Sequence, residues 1–264
     1  MRTLPDDLGM PCSLPAGEVT RVVSLVPSLT EAIAATEAQA LVGATDWCTH
    51  PAGLDVPRVR GTKNPDLTRI VELAGSSTTD PLLVVANQEE NRELDVRRLR
   101  ERGVSVWVTV IEDVPQALAS MRRLVADALG WRIPTWLTEA SALWSCPPPP
   151  PVARVAVPIW RDPWMVVGSR TFTTDLLRRV GIENVFGDHA GRYPHVEVSD
   201  IDRVDVDAVL LPDEPYVFTA QDGPEAFSRA PTRLIDGRLI TWYGPSLITA
   251  RTVLDTLAAE LADR

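Results

Sequence analysis

The sequence has no long apolar run: within its 264 residues no stretch of about 18 apolar residues, the length that spans a bilayer, is present. We therefore expect no membrane span. Cysteines are few, and Cys12, Cys48 and Cys146 form no C-x-x-C pair and cannot all be bridged within one chain, which indicates a reducing compartment. Because the first residues lack the apolar core of an export signal, the chain as given predicts a cytoplasmic protein, and an extracytoplasmic one if the true start lies upstream.

The motifs that accompany covalent and cofactor chemistry are also missing. The sequence contains no G-x-G-x-x-G, no G-x-x-x-x-G-K-[ST], no H-E-x-x-H and no G-x-S-x-G. We therefore predict no catalytic residues and no intrinsic cofactor, and we expect a binding protein, not an enzyme. One alternative stays open: an enzyme or chaperone that acts on a bound metal cofactor through His50, His195 and nearby carboxylates. The same side chains are candidates for a metal site if folding brings them together.

Positive charge is scarce. The chain has 26 Lys and Arg residues against 36 Asp and Glu residues, a formal net charge of -10, and Lys63 is its single lysine. Like charges repel, so this balance opposes binding to nucleic acid phosphates. We expect a monomer with a small-molecule ligand and no nucleic acid partner.

Short apolar runs alternate with segments of helical spacing in the first part of the chain. Such alternation predicts a parallel sheet covered by helices. We place an N-terminal α/β lobe at residues 1–112, with residues 1–20 as an irregular leader. Its predicted strands are 21–26, 40–45, 57–61, 82–87 and 104–110.

A long amphipathic helix begins near Val114, breaks near Pro134 and leads to the stretch CPPPPP at residues 146–151, whose five prolines form a proline run. We assign residues 113–151 to a linking helix and a stiff proline-rich connector, and residues 152–264 to a C-terminal α/β lobe. The strands of this lobe are predicted at 154–160, 207–212 and 238–243. The predicted fold class is α/β: two Rossmann-like lobes with parallel sheets, joined by a long backbone helix, with a ligand cleft between the lobes.

Polar and aromatic side chains cluster where the predicted strands end, which is where ligands bind to parallel sheets. The aromatic ones suggest a flat or bulky ligand that is held by stacking. Structural roles stay open beside this one, because Ser28 and Glu31 fit a capping box, and Glu89 and Glu90 suit the first turn of a helix. The candidate ligand-binding residues are Pro27, Ser28, Asp46, Trp47, Cys48, Lys63, Asn64, Asn87, Gln88, Glu89, Glu90, Trp160, Trp164, Tyr193, Asp213, Glu214, Tyr216, Phe218 and Trp242.

Four motifs in order carry a family resemblance: VVSLVPSLTEAIAA, GTKNPDLTRIVEL, IENVFGDHAGRYPHVEVSDI and DAVLLPDEPYVF. Together they resemble the iron-siderophore and vitamin B12 substrate-binding proteins of ABC importers, the helical-backbone metal receptor superfamily. The resemblance implies two α/β lobes, a rigid helix between them, and a clamped metal chelate or corrinoid. The glutamates with which the vitamin B12 binder docks on its permease correspond here to Thr68 and Ser199, beside Asp200, so an ABC permease partner remains an alternative.

The acidic residues near the strand ends bear on the choice of ligand. Glu89, Glu90, Asp213 and Glu214 would repel the carboxylates of haem and the negative charge of many ferric siderophores. Cobalamin instead carries neutral amides that can donate hydrogen bonds to acids. We therefore predict non-catalytic binding of a corrinoid or metal chelate, with a ferric siderophore or haem as the alternative ligand.

Overall fold

The computed structural model describes residues 1–77 and 80–263, which divide into two compact units. Unit 1 contains Met1–Ile111, Gln116–Glu139 and Tyr243–Pro245. Unit 2 contains Glu112–Pro115, Ala140–Trp242 and the residues from Ser246 onward. The region 113–151, which we predict to link two lobes, is thus divided between the units.

Unit 1 is built on a four-stranded parallel sheet whose strands, in spatial order, are Leu41–Ala44, Val22–Ser24, Leu83–Asn87 and Ser105–Thr109. Four of the five predicted strands form this sheet. The fifth, 57–61, meets it only through an isolated parallel bridge between Ala44 and Arg58, in which Ala44 N donates to Pro57 O at 3.1 Å and Val59 N donates to Ala44 O at 3.0 Å. The pairing does not continue, because Arg60, with a φ of 64°, enters a short antiparallel hairpin instead. The strands of unit 1 are β1 (Arg2–Pro5), β2 (Pro11–Leu14), β3 (Val22–Ser24), β4 (Leu41–Ala44), β5 (Arg60–Gly61), β6 (Asn64–Pro65), β7 (Leu83–Asn87) and β8 (Ser105–Thr109).

Residues 1–20, predicted as an irregular leader, contain the antiparallel hairpin β1–β2. Asp6 closes this hairpin by accepting a hydrogen bond from Met10 N at 2.9 Å. The other carboxylate oxygen of Asp6 pairs with Arg100 Nη2 at 2.6 Å, and Asp7 pairs with Arg123. The prediction of an irregular leader was wrong, because its acids have basic partners far along the chain that composition alone does not reveal.

Among the described residues before the proline run, the α-helices are α1 (Pro27–Glu37), α2 (Leu67–Gly75), α3 (Glu93–Glu101), α4 (Val114–Arg122) and α5 (Thr135–Leu143), with a π-helix at Arg123–Ala128. The interruption before Thr135 matches the predicted break near Pro134. The capping box predicted for Ser28 does not form at α1. The helix begins one residue earlier, at Pro27, a residue favoured at the first helical position, so Ser28 lies inside the first turn.

Unit 2 contains a second parallel sheet, whose strands in spatial order are Ile182–Asn184, Ala153–Ala156, Ala208–Pro212 and Thr232–Ile235. Its strands are β9 (Ala153–Ala156), β10 (Pro158–Trp160), β11 (Met165–Val166), β12 (Ile182–Asn184), β13 (Ala208–Pro212) and β14 (Thr232–Ile235), and its helices are α6 (Phe172–Arg178), α7 (Val198–Ile201), α8 (Arg238–Thr241) and α9 (Ser246–Ala262). In the described part of the chain, none of the helices combines the length and apolar character needed to cross a membrane.

The strand predicted at 238–243 was wrong, because its first four residues form the helix α8. Gly237 stands before this helix and its N–H donates to Asp213 Oδ1 at 2.7 Å. An acceptor at that position stabilises a helix N-terminus, since the first amides of a helix have no partner within it. The apolar pattern of residues 238–243 arises because Leu239, Ile240 and Trp242 are buried, as they would also be in a strand.

Candidate functional site

Asn91 connects three segments that meet at the carboxyl end of the sheet of unit 1. Its side-chain amide donates to Thr62 O at 2.9 Å and to Leu25 O at 3.4 Å. Its Oδ1 accepts from Asn87 N at 2.9 Å. The end of β3, the β5–β6 hairpin and the turn after β7 are therefore held by one buried side chain. Asn91 is not among the residues predicted from the sequence, because its partners are main-chain groups, two of them distant in sequence.

The turn after β7 presents two acids. Asn87 Oδ1 accepts hydrogen bonds from Glu89 N at 2.8 Å and Glu90 N at 3.4 Å, the geometry of an Asx turn. Asn87 is buried and shapes this turn from below. Lys63 Nζ, from the β5–β6 hairpin, donates to the main-chain carbonyl of Glu89. Burial raises the pKa of the Glu90 carboxyl, while the charge of Lys63 lowers it and that of Glu89 raises it further.

Ser28 and Tyr243 add two hydroxyl groups to this end of unit 1. Burial raises the pKa of the Tyr243 phenol far above its ordinary range, the charge of Glu90 adds to the effect, and a hydrogen bond with Ser28 opposes it. Tyr243 is not among the residues predicted from the sequence, although the aromatic stretch TWYGP contains it. Ser28 and Tyr243 are themselves buried, whereas Lys63 is exposed and Glu89 and Glu90 are half-buried. We call Lys63, Glu89 and Glu90 the polar face of unit 1.

Trp47 stands beside the β5–β6 hairpin that carries Lys63. Its side chain is 67% exposed, and a Cβ added at Gly61 would lie 3.3 Å from its Nε1. Cys48, also predicted to contact ligand, is instead fully buried, with Sγ 3.0 Å from Thr30 Oγ1. Burial raises the pKa of the Cys48 thiol, which is therefore a core group, whereas the indole of Trp47 is presented to solvent.

In unit 2 the predicted aromatic residues form a cluster that packs largely on itself. Trp164 stacks on Phe218 with ring centroids 5.9 Å apart and planes at 10°, and both residues belong to the hydrophobic core of the unit. Tyr216 meets Trp160 edge to face at 5.6 Å. Among these four residues, Trp160 is the one with a large exposed fraction, 45% of the residue. Trp164 and Phe218 therefore form core and not a ligand wall.

The acids after β13 also have partners within unit 2. Glu214 Oε1 accepts from Trp242 Nε1 at 2.5 Å and from Thr241 Oγ1 at 3.0 Å. Burial raises the pKa of Glu214, and these two hydrogen bonds oppose the rise. Because Asp213 accepts from Gly237, both acids of the LPDEP stretch hold the chain around α8. Trp242 is buried by the same contacts.

The other predicted residues are distributed over both units. Pro27 and Tyr193 are half-buried, whereas Asn64, Gln88 and Asp46 are exposed. Within residues 1–77 and 80–263, no group of three His, Cys, Asp or Glu side chains is placed to hold a metal ion, so His50 and His195 are not joined by further ligands. The permease-docking positions Thr68, Ser199 and Asp200 are exposed, and Asp200 forms a capping box with Glu197 at the start of α7.

A cavity of about 540 Å³ lies within unit 2, beside the proline run and α6. Its lining includes Pro148, Pro149, Thr174 and Asp175, and none of the predicted site residues. Burial raises the pKa of Asp175, but hydrogen bonds from Arg178 and Arg179 outweigh that effect and lower it. Asp175 is thereby an ionised member of an internal ion pair.

No family model matches the sequence, and no curated protein sequence matches it either. Solved structures do resemble it. The periplasmic vitamin B12 binding protein BtuF of Vibrio cholerae is 15% identical, with 93% of this chain and 98% of that chain covered and a TM-score of 0.71. The periplasmic heme-binding protein RhuT from Roseiflexus sp. RS-1 is 20% identical, with 94% and 99% covered and a TM-score of 0.71.

A third similar structure, Helicobacter pylori CeuE in a complex with nickel and histidine, is 13% identical, with 99% of this chain and 89% of that chain covered and a TM-score of 0.76. Each likeness extends over nearly the whole length of both chains. The chain therefore has the two-unit α/β fold of the periplasmic vitamin B12- and heme-binding proteins, the fold of the helical-backbone metal receptor superfamily that its sequence motifs resemble.

Proposed function

We propose that the protein binds a corrinoid or another metal chelate without changing it chemically, and that the polar face of unit 1 supplies part of the binding surface. The observation that carries this proposal is the fold likeness to vitamin B12- and heme-binding proteins over more than nine-tenths of this chain. Similar folds can host different functions, so the residues of the face must themselves suit such a ligand.

The composition of the face suits a large flat molecule with polar substituents. The exposed indole of Trp47 offers an apolar plane for stacking. Glu89 and Glu90 contribute hydrogen-bond acceptors, and the Ser28 and Tyr243 hydroxyl groups are buried near them. Because Asn91 and Asn87 hold the supporting turns through buried hydrogen bonds, these groups are in position before a ligand arrives, which lowers the entropic cost of binding.

A haem or a ferric siderophore is the second candidate, favoured by the likeness to RhuT. The carboxylates of the polar face oppose it, since haem carries two propionates and many siderophore complexes are anionic. Lys63 is the single cation on this face, and its Nζ already donates to the Glu89 carbonyl.

A titration panel tests the proposal. The purified protein is mixed with cyanocobalamin, dicyanocobinamide, hemin and a ferric siderophore, and bound colour is measured after gel filtration alongside the quenching of tryptophan fluorescence. We expect one corrinoid to be retained at about one molecule per chain, and Trp47→Ala to weaken its binding by about 1–3 kcal/mol. Val204→Ala, a change at an exposed apolar residue outside the face, is the matched control and should bind as the wild type does. Retention of none of the four compounds contradicts the proposal.

Delivery of the ligand to an ABC permease would belong to an extracytoplasmic form of this function. Of the three predicted docking positions, only Asp200 carries a charge that could pair with a permease arginine, and its carboxylate also accepts from Glu197 N at 3.2 Å. Cell fractionation shows in which compartment the protein lies. Co-purification with a permease distinguishes this form from a cytoplasmic binder, and we expect it to be lost in Asp200→Arg and retained in the control Asp255→Arg.

A further inference from the structure

The two acids of the polar face, Glu89 and Glu90, are consecutive residues of one turn whose backbone is held by Asn87. Both Glu89 N and Glu90 N donate to the buried Asn87 Oδ1, so neither residue can move away without breaking the turn. Lys63, the single lysine of the chain, donates to the Glu89 carbonyl. One ammonium group therefore stands beside two carboxylates, which leaves an excess of negative charge.

The surroundings of Glu90 strengthen the effect of that charge. Burial raises the pKa of Glu90, the charge of Lys63 lowers it, and Glu89 raises it again. The charges of both Glu90 and Glu89 raise the pKa of the Tyr243 phenol, which belongs to the segment Tyr243–Pro245. Glu31 is a further acid near Tyr243: a Cβ added at Gly244, the residue after Tyr243, would lie 3.2 Å from Glu31 Oε2. In such half-buried positions salt screens charges only weakly.

We infer that Glu89 and Glu90 determine which chelates this face accepts: it selects ligands whose edge carries amides or other hydrogen-bond donors, and it rejects ligands whose edge carries carboxylates. This inference rests on the proposed function. An amide edge donates to the two acids in charge-assisted hydrogen bonds. A carboxylate edge leaves both acids without a donor and adds like charge at short range, the repulsive element on which specificity commonly depends.

Two corrinoids that differ mainly in their edge provide the test. Dicyanocobinamide carries amides around the ring, and dicyanocobyrinic acid carries carboxylates at the corresponding places. We expect the wild-type protein to bind dicyanocobinamide more tightly by about tenfold or more at pH 7.5. The double variant Glu89→Gln/Glu90→Gln should reduce this ratio by about tenfold, mainly through tighter binding of the carboxylate ligand. The control Glu72→Gln/Glu101→Gln removes the same charge from exposed positions on α2 and α3 and should keep the wild-type ratio.

The outcomes separate the inference from the function beneath it. A wild-type ratio near one overturns the inference and leaves corrinoid binding in place. A ratio that falls equally in both double variants also overturns it, because the net charge of the protein and not the local pair would then be responsible. If neither corrinoid is retained by the wild-type protein, the proposed corrinoid function fails and the inference fails with it.

Discussion

Trp164 and Trp160 are close in sequence, but their environments predict opposite consequences for replacement by alanine. Trp164 is 8% exposed and packs against Phe218 and Phe227 at centroid distances of 5.9 and 5.3 Å. A buried tryptophan removes about 150–250 Å² from water, and at about 25 cal/mol per Å² this amounts to roughly 4–6 kcal/mol as an upper limit. We expect Trp164→Ala to lower the free energy of unfolding of unit 2 by about 3–5 kcal/mol.

Trp160 is 45% exposed and makes one edge-to-face contact, with Tyr216. Trp160→Ala should therefore cost only about 0.5–1.5 kcal/mol of stability. Urea unfolding followed by circular dichroism measures both variants. Because the chain has two units, the transitions are fitted separately, and Trp47→Ala in unit 1 should leave the transition of unit 2 unchanged. Equal losses for Trp160→Ala and Trp164→Ala would refute the assignment of Trp164 to the core and Trp160 to the surface.

Three further predictions concern buried polar groups. The carboxylate of Asp202 accepts hydrogen bonds from Ala230 N at 2.8 Å and from three other donors, and these bonds outweigh burial and lower its pKa to about 2. Asp202→Asn should therefore lower the free energy of unfolding by about 2 kcal/mol at pH 7. The difference between the variant and the wild type should shrink as the pH falls from about 4 towards 2 in urea titrations. Burial raises the pKa of Glu214, so the stability that its protonated form gives is lost as the pH rises above 4.5. Melting curves from about pH 4 to 8 should show this loss in the wild type and not in Glu214→Gln. An equal loss in both proteins would contradict the assignment of the loss to Glu214. Asn91→Ala leaves Thr62 O and Leu25 O without the donor that Asn91 supplies. It should lower the free energy of unfolding in urea by about 2–3 kcal/mol and weaken ligand binding. Unchanged stability would show that this amide does not hold the turns.

The sequence was sufficient for the parallel strands of unit 1 and for the α/β alternation of both units. Runs such as 82–87 and 104–110 are rich in apolar residues, are bounded by polar turns, and are separated by the helix α3, which ends at Glu101. Patterns of this kind act locally, because the periodicity of a segment decides which of its faces can be buried. The strand predicted at 238–243 was wrong for the same reason, because a short apolar run fits a buried turn of helix as well as a strand. The carboxylate of Asp213, which accepts a hydrogen bond from Gly237 at the start of α8, lies distant in sequence.

The sequence also determined that polar and aromatic groups follow the strand ends, and that the fold resembles the helical-backbone metal receptors. Only the tertiary structure decided which of those groups have partners within the protein and which face solvent. Glu214 is engaged by Trp242, and Trp164 by Phe218, whereas Tyr243 joins Ser28 and Glu90 in the other unit of the chain. The physical reason is that local spacing sets the direction of a side chain relative to its own strand or helix, whereas its hydrogen-bond partners and its burial depend on residues that only folding brings near.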